Sequence, residues 1–307
     1  MSDSKRSVTK PYRQPLGDKL WRNFVIGVPY FWLVLFFLAP FAIVLKISFA
    51  TPIVALPPFT PLLDFSANAS HWLLATWDNY RFLTEDNLYW VSYFKSIKIA
   101  AISTFICLLI GYPMAYGIAR ATPTTRNILL MLVILPFWTS FLLRVYAWMG
   151  LLGKNGIVNS LLMNIGLIDT PLQMLYTDMA VYIGIVYTYI PFMILPLYAT
   201  LEKMDTSLHD AAADLGAKPW QTFIDVTLPL SMPGIIAGSL LVFIPAIGEY
   251  VIPALLGGID SLMIGRTLYD EFFVNRDWPL ASAVATLLLI IVVIPIMLFQ
   301  RSQQEQE

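Results

Sequence analysis

Glu249 stands inside an apolar stretch, in IPAIGEYVIPALLGG, with Tyr250 beside it. A charge near the centre of a membrane-crossing helix costs roughly 2.5–3.5 kcal/mol on insertion scales, so it implies a task or a partner. The task would be to meet a cation on a path through the membrane, with Pro245 and Pro253 freeing backbone carbonyls to line it. The partner would be Arg144, which lies in another apolar stretch at a similar depth if the two helices run antiparallel. Both readings stay open. Arg144 by itself reads as a structural residue or as an anchor whose long stem reaches toward the interface. Nothing points to catalysis, a metal or a cofactor. Cys107 is the single cysteine, and His71 and His209 are far apart and flank no ligand motif. An enzyme buried in the membrane would want a convergent set of reactive groups, and only Glu249 and Arg144 are there. No Gly-x-x-x-x-Gly-Lys-Ser/Thr phosphate loop occurs, so the chain is not expected to hydrolyse ATP.

A second kind of chemistry, recognition, is written in DAAADLGAKPWQTFIDVTLP, from Asp210 to Pro229. This polar segment separates two apolar runs and has its own helix signals. Asp205, Thr206 and Ser207 offer N-caps, and Ser207 with Asp210 has capping-box spacing. Ala211, Ala212 and Ala213 favour helix and leave room for another backbone to approach. Gly216 can take the positive φ that ends the helix. Pro219 suits the first turn of a next helix, which Pro229 is expected to close. The segment reads as a docking surface for a soluble partner or as an amphipathic cover over lipid headgroups.

The elements that position these groups follow from hydropathy. Of 307 residues, 58% are hydrophobic and 13% charged, against roughly a quarter charged in soluble proteins. Six runs are long enough to cross a ~30 Å hydrocarbon core: 26–47, 96–118, 128–150, 179–201, 234–256 and 280–299. The ten-residue alternation of an outer-membrane barrel is absent. The expected class is therefore an all-α integral membrane protein with six transmembrane helices. Residues 1–22 form a basic tail with Lys5, Arg6, Lys10, Arg13, Lys19 and Arg22, residues 23–300 the membrane domain with a cytoplasmic loop at 202–232, and 301–307 a polar tail. The basic tail places the N-terminus in the cytoplasm, and an even number of crossings returns the C-terminus there. No cleaved signal peptide is expected.

The outer loops are acidic, with Asp64, Asp78, Glu85, Asp86, Asp169, Asp178, Asp260, Asp270, Glu271 and Asp277, a field that would gather cations. Aromatic residues make up 14%, and Trp138, Tyr146, Trp148, Tyr187, Tyr189 and Tyr250 are candidates for a pore or an interfacial belt. Residues 72–90 read as a short surface helix, whereas four prolines between Pro52 and Pro61 argue for an extended, turn-rich path.

The spacing acid-Ala-Ala, three residues, Gly, nine residues, aliphatic, one residue, Leu-Pro resembles the Glu-Ala-Ala loop of permease subunits of binding-protein-dependent ABC importers. Here it comprises Asp210, Ala211, Ala212, Gly216, Val226, Leu228 and Pro229, with Asp in place of Glu and Val in place of Ile. The shorter Asp would weaken or reposition an ion pair made by the family's Glu. RVYAWMGLLGKNGIVN, VFIPAIGEYVIPALLGG and MIGRTLYDEFFVNRDWPLASA are similar to the polyamine branch of that family, putrescine-type, over nearly the whole chain. The resemblance implies a type I ABC importer permease fold in a bacterial inner membrane. It also implies two ATP-hydrolysing subunits, a second and different permease, a periplasmic polyamine-binding protein and surrounding membrane lipid as partners, with no nucleic acid. In that family the loop helix sits in a groove of the ATPase and passes its motion to the spans. Asp270 and Glu271 would meet the binding protein or the cargo, or be solvated surface acids. A permease for another small solute, or an ion-coupled secondary transporter in which Glu249 carries protons or sodium, are the alternatives.

Overall fold

The computed structural model describes residues 16–61, 75–259 and 261–304. Among these every regular element is a helix, and extended pairing is confined to one isolated bridge between Pro52 and Phe59. An apolar segment in lipid must satisfy its own N–H and C=O groups, which a helix does within itself. The first two helices, α1 (Leu16–Leu33) and α2 (Ala39–Ile47), are joined into one rod by a wider π-type turn at Val34–Leu38. The rod starts inside the stretch read as a tail. Its apolar part, Asn23–Ile47, has no fully buried residue, and among the described residues it packs chiefly on the last long helix, α14 (Trp278–Gln304).

Three helices form the centre: α4 (Asn87–Arg120), α8 (Asp178–Glu202) and α11 (Leu228–Ile247). With lipid outside, packing and polar contacts rather than water exclusion hold such helices together. Met193 of α8 shows how. A Cβ added to Gly111 of α4 would lie 3.0 Å from its Cγ, and one added to Gly238 of α11 2.9 Å from its sulfur. The two glycines thus form the walls of the methionine's slot. Tyr112 on α4 shares a 2.9 Å hydrogen bond with Ser231 on α11, and the Tyr93 hydroxyl donates to the Val284 carbonyl of α14 at 2.7 Å. At one end Lys95 pairs with Asp178 at 3.2 Å, and at the other Arg126 pairs with Glu202 at 2.7 Å.

Of the six runs expected to span, four among the described residues are helices of sufficient length and apolarity. A fifth is broken: Pro123–Trp138 and Phe141–Asn164 meet at 92°, so the run at 128–150 is not one straight span. Pro136 has no N–H to give, the helix tightens over Leu135–Trp138, and Thr139 and Ser140 turn extended. The pieces are α5 (Pro123–Ile134), α6 (Phe141–Leu152) and α7 (Ile157–Asn164). The last run lies in α14, whose apolar part Trp278–Val293 is shorter. The surface helix expected at 72–90 is α3 (Asp78–Glu85), followed directly by α4; residues 72–74 lie outside the described residues. Asn79 fastens it to the end of α2 by donating to the Ser48 and Ala50 carbonyls at 2.9 and 2.8 Å.

Candidate functional site

The run at 234–256 is also interrupted. α11 ends at Ile247, the backbone turns through Gly248, and a short helix, α12 (Val251–Leu255), restarts after Tyr250. Glu249 sits in that gap and is buried, 8% exposed. Its Oε1 accepts from the Val251 and Ile252 backbone N–H groups at 3.0 and 3.3 Å, and its Oε2 accepts from the Tyr189 hydroxyl of α8 at 2.5 Å. The carboxylate therefore answers the free N–H groups at the start of α12, where negative charge is favoured. Arg144 is not its partner. The Arg144 guanidinium lies over the Phe137 and Phe141 rings at 5.7 and 5.8 Å, and its Nε and Nη1 are buried without a hydrogen-bond acceptor. The ion-pair reading of Glu249 and Arg144 is thus replaced by a backbone and tyrosine clamp.

The segment after α12, whose Asp270, Glu271 and Asp277 were expected in an outer loop, is folded back onto this break. It contains α13 (Ile264–Tyr269) and a π-type turn, Asp270–Val274. A Cβ on Gly265 would lie 2.4 Å from the Gly248 carbonyl oxygen and 2.7 Å from that of Glu249, so only glycine allows α13 to lie this close. Tyr250 stacks on Tyr269 with ring centroids 4.0 Å apart and planes 16° apart. Ser96 of α4 accepts from the Ile264 N–H at 2.7 Å. Glu271 is not a solvated surface acid: it is buried, accepting from the Tyr89 hydroxyl at 2.8 Å and from Asn275 Nδ2 at 2.9 Å. Asp270 is half-buried next to it. The structure thus gathers Glu249, Tyr250 and Tyr189 at the break, while Glu271 is spent on tying α4 to the turn after α13.

The acidic field at this end is weaker than its count. Asp178 is paired with Lys95 and accepts from Ser261, Glu85 is paired with Arg81, and Asp277 accepts from the Leu280 N–H at the start of α14. Asp64 and Asp260 lie outside the described residues.

At the other end, α9 (Ser207–Asp214) and α10 (Pro219–Thr222) form the polar protrusion. Gly216 has φ +83°, the Ala217 N–H bonds to the Ala212 carbonyl at 3.0 Å, and the Gly216 N–H bonds to the Ala213 carbonyl at 2.9 Å. That pair is a Schellman closure, which fixes the direction of the chain after α9. The expected Ser207–Asp210 capping box is not formed; the Asp205 carboxylate accepts from the Ser207 N–H at 2.9 Å and is held below its ordinary pKa by that bond. Asp210 and Ala211 are exposed and Ala212 is half-buried. Pro229 does not close a helix. α10 runs through a π-type turn, Phe223–Thr227, into α11, giving one helix from Pro219 to Ile247. In that turn the Leu228 N–H reaches the Phe223 carbonyl, five residues back, just before Pro229, which has no N–H to give. Val226 and Leu228 are half-buried in this stretch, Pro229 is exposed, and Phe223 lies edge-on to Tyr112 at 5.6 Å.

Two features here escaped sequence reasoning. Leu215 and Trp220 project from the protrusion, 90% and 59% exposed, and their place beside Gly216 and Pro219 was the available signal. His209 ties α9 to the bundle: its Nε2 lies 2.8 Å from Arg120 Nη2 at the end of α4 and 3.0 Å from Thr227 Oγ1. No spacing rule joins residues so far apart. Among the described residues no cluster of three His, Cys, Asp or Glu side chains could hold a metal.

Residues 108–304 match the family described as binding-protein-dependent transport system inner membrane component. The chain is 39% identical over 284 residues to the spermidine/putrescine transport system permease protein PotB of Haemophilus influenzae, covering 92% of this chain and 94% of the relative. It is 40% identical to the protein of that name from Escherichia coli, over 89% and 94%. In fold it is similar to a chain of a bacterial ABC transporter involved in the import of the acidic polysaccharide alginate, with a TM-score of 0.66 at 16% identity, covering 95% and 99%. The arrangement of helices is thus the type I ABC importer permease fold, and such permeases are non-catalytic. The chain belongs to the family of inner membrane components of binding-protein-dependent transport systems.

Proposed function

We propose that this chain forms part of the translocation path of an ATP-driven polyamine importer. The observation that carries this reading is the likeness, over nine-tenths of the chain, to permeases named for spermidine and putrescine. Those names carry both polyamines, so an order of putrescine before spermidine has no support from them. The proposed assembly has two ATP-hydrolysing subunits, a second permease of different sequence and a periplasmic polyamine-binding protein. The basic N-terminal segment supports placing both termini and the protrusion in the cytoplasm.

The geometry suits this role. Asp210, Ala211, Ala212 and Gly216, with the exposed Leu215 and Trp220, would fill a groove on an ATPase subunit. The helix from Pro219 to Ile247 has 29 residues, about 43 Å at 1.5 Å per residue, and it connects the protrusion to the break at Glu249. A tilt imposed at the ATPase is thereby delivered to the carboxylate. In the proposed cycle, ATP-driven closure of the ATPases draws on the protrusion and opens the path outward; hydrolysis returns it inward. Glu249, released from Tyr189 as the gap widens, would meet an ammonium group, with Tyr250 offering a π face. Asp270 lies near the same gap; Glu271, already committed to Tyr89 and Asn275, is left out of the pathway.

A molybdenum transport permease from Mycobacterium bovis is also similar, 30% identical over 64% of this chain, so another small solute is the second reading. The discriminating experiment is to purify the complex with its co-expressed neighbours, place it in liposomes and supply binding protein loaded with putrescine or spermidine. Polyamine-stimulated ATP turnover with uptake of labelled polyamine is expected. Uptake by this chain alone, or ATP turnover indifferent to polyamine, overturns the reading.

A further inference from the structure

We infer that Arg144 is where a second, non-identical membrane subunit attaches, through a carboxylate on one of that subunit's helices. Arg144 lines a cleft of about 340 Å³ between α6 and α8, together with Thr139, Leu143, Ala147, Trp148 and Tyr187. Its Nε and Nη1 are buried and unanswered, and the two phenylalanine rings attract its charge without accepting its N–H groups. Arg144 as a whole is half-buried and Nη2 is not among its covered nitrogens, so the side of the guanidinium that faces the cleft is open to a carboxylate brought from outside, and a cation at this depth calls for one.

Among the described residues, no acid within the membrane-spanning stretches is free to supply one. Along α4, α5, α6, α8, α14 and the helix from Pro219 to Ile247 the acids are Asp178 and Glu202, at the two ends of α8 and paired with Lys95 and Arg126, and Asp225, exposed near the protrusion; Asp18 of α1 precedes the apolar part of the first rod. Glu249, in the break between α11 and α12, is committed to Tyr189 and the start of α12. A second copy of the chain brings the same inventory, so a symmetric pair leaves the cation unanswered. A lipid phosphate is disfavoured by depth, because the cleft is flanked by Tyr187, near the middle of α8. The surrounding face suits a helix. Leu143 and Tyr146 are 67% and 53% exposed, and Ala147 and Gly150 leave the backbone open to close approach. The inference rests on the multi-subunit reading above and adds to it the face and the charge of the contact.

The test places a photo-crosslinking amino acid at Leu143 in the otherwise unchanged chain, within the complex assembled in its native membrane. The expected product is an adduct with a different polytopic chain, mapped within two helical turns of an Asp or Glu. An adduct with a second copy, with lipid alone, or with a partner segment lacking an acid overturns the inference. In parallel, Arg144→Glu should lower recovery of the second permease with this chain at least tenfold, and changing the mapped acid to Arg should restore it. Wild-type recovery in both Arg144→Glu and Arg144→Gln would also overturn it. The two readings fail separately: a mapped acidic contact without polyamine uptake sinks only the cargo, and uptake with lipid adducts alone sinks only this contact.

Discussion

At the scale of single residues, Glu249 carries two duties that substitution can separate. Glutamine keeps an oxygen for the Val251 and Ile252 N–H groups, so the break stays capped while the charge is lost. Glu249→Gln should therefore assemble normally, with a stability change of about 1 kcal/mol, and lose most polyamine uptake. Alanine leaves those donors and the Tyr189 hydroxyl unpaired, at roughly 1–3 kcal/mol for each group that stays buried. Thermal unfolding of the purified complex and initial uptake rates measure the two effects. Wild-type uptake in the glutamine variant would remove the carboxylate from the pathway. Glu249 was legible in the sequence because an acid among apolar residues is rare and costly. Its partner was not: Tyr189 is sixty residues away, and hydropathy places Arg144 at an equally plausible depth.

At the scale of elements, the protrusion was readable where its structure is local. Gly216 at φ +83° and Pro219 at the first turn of α10 follow from backbone sterics that act on neighbouring residues. Pro229 and the 92° bend at Thr139 and Ser140 were not readable, because whether a proline ends, bends or passes through a helix depends on what packs beside it. Gly216→Ala should cost about 1–2 kcal/mol at this φ and uncouple ATP turnover from uptake, which parallel measurements of both rates would detect. The protrusion should also respond to acid. Arg120 can only donate, so its 2.8 Å contact requires a lone pair on His209 Nε2 and hence a neutral ring. Partial burial and the Arg120 charge hold the His209 pKa below its ordinary value, with Asp210 opposing. A base depressed in the folded state contributes stability that is full above its unfolded pKa, about 6.5, and is lost as pH falls through the lower folded value. Amide exchange over 207–216 should therefore quicken as pH falls below about 6.5, once corrected for intrinsic rates, and His209→Gln should flatten that dependence. A profile unchanged by the substitution would count against the anchor.

At the scale of the whole molecule, the chain is built incomplete. Asn23–Ile47 has no fully buried residue and covers only a few side chains near its end against α14, the protrusion shows Leu215 and Trp220 to the outside, and Arg144 Nε and Nη1 lack an acceptor. Exposed apolar area on the lipid-crossing rod is ordinary in a membrane, but on a polar protrusion it marks a surface made to be covered. Leu215 offers the clean test because it is 90% exposed and contributes little to its own chain. Leu215→Asp should leave the stability of the isolated permease within about 0.5 kcal/mol of wild type, as surface changes usually do. It should nonetheless lower capture of the ATPase subunits at least tenfold, or about 1.4 kcal/mol, because a charge would enter an apolar contact. Ala212→Trp should act in the same direction by bulk rather than by charge. Co-purification with the ATPase subunits reads both variants, and normal ATPase capture with normal coupling in both would place the docking surface elsewhere.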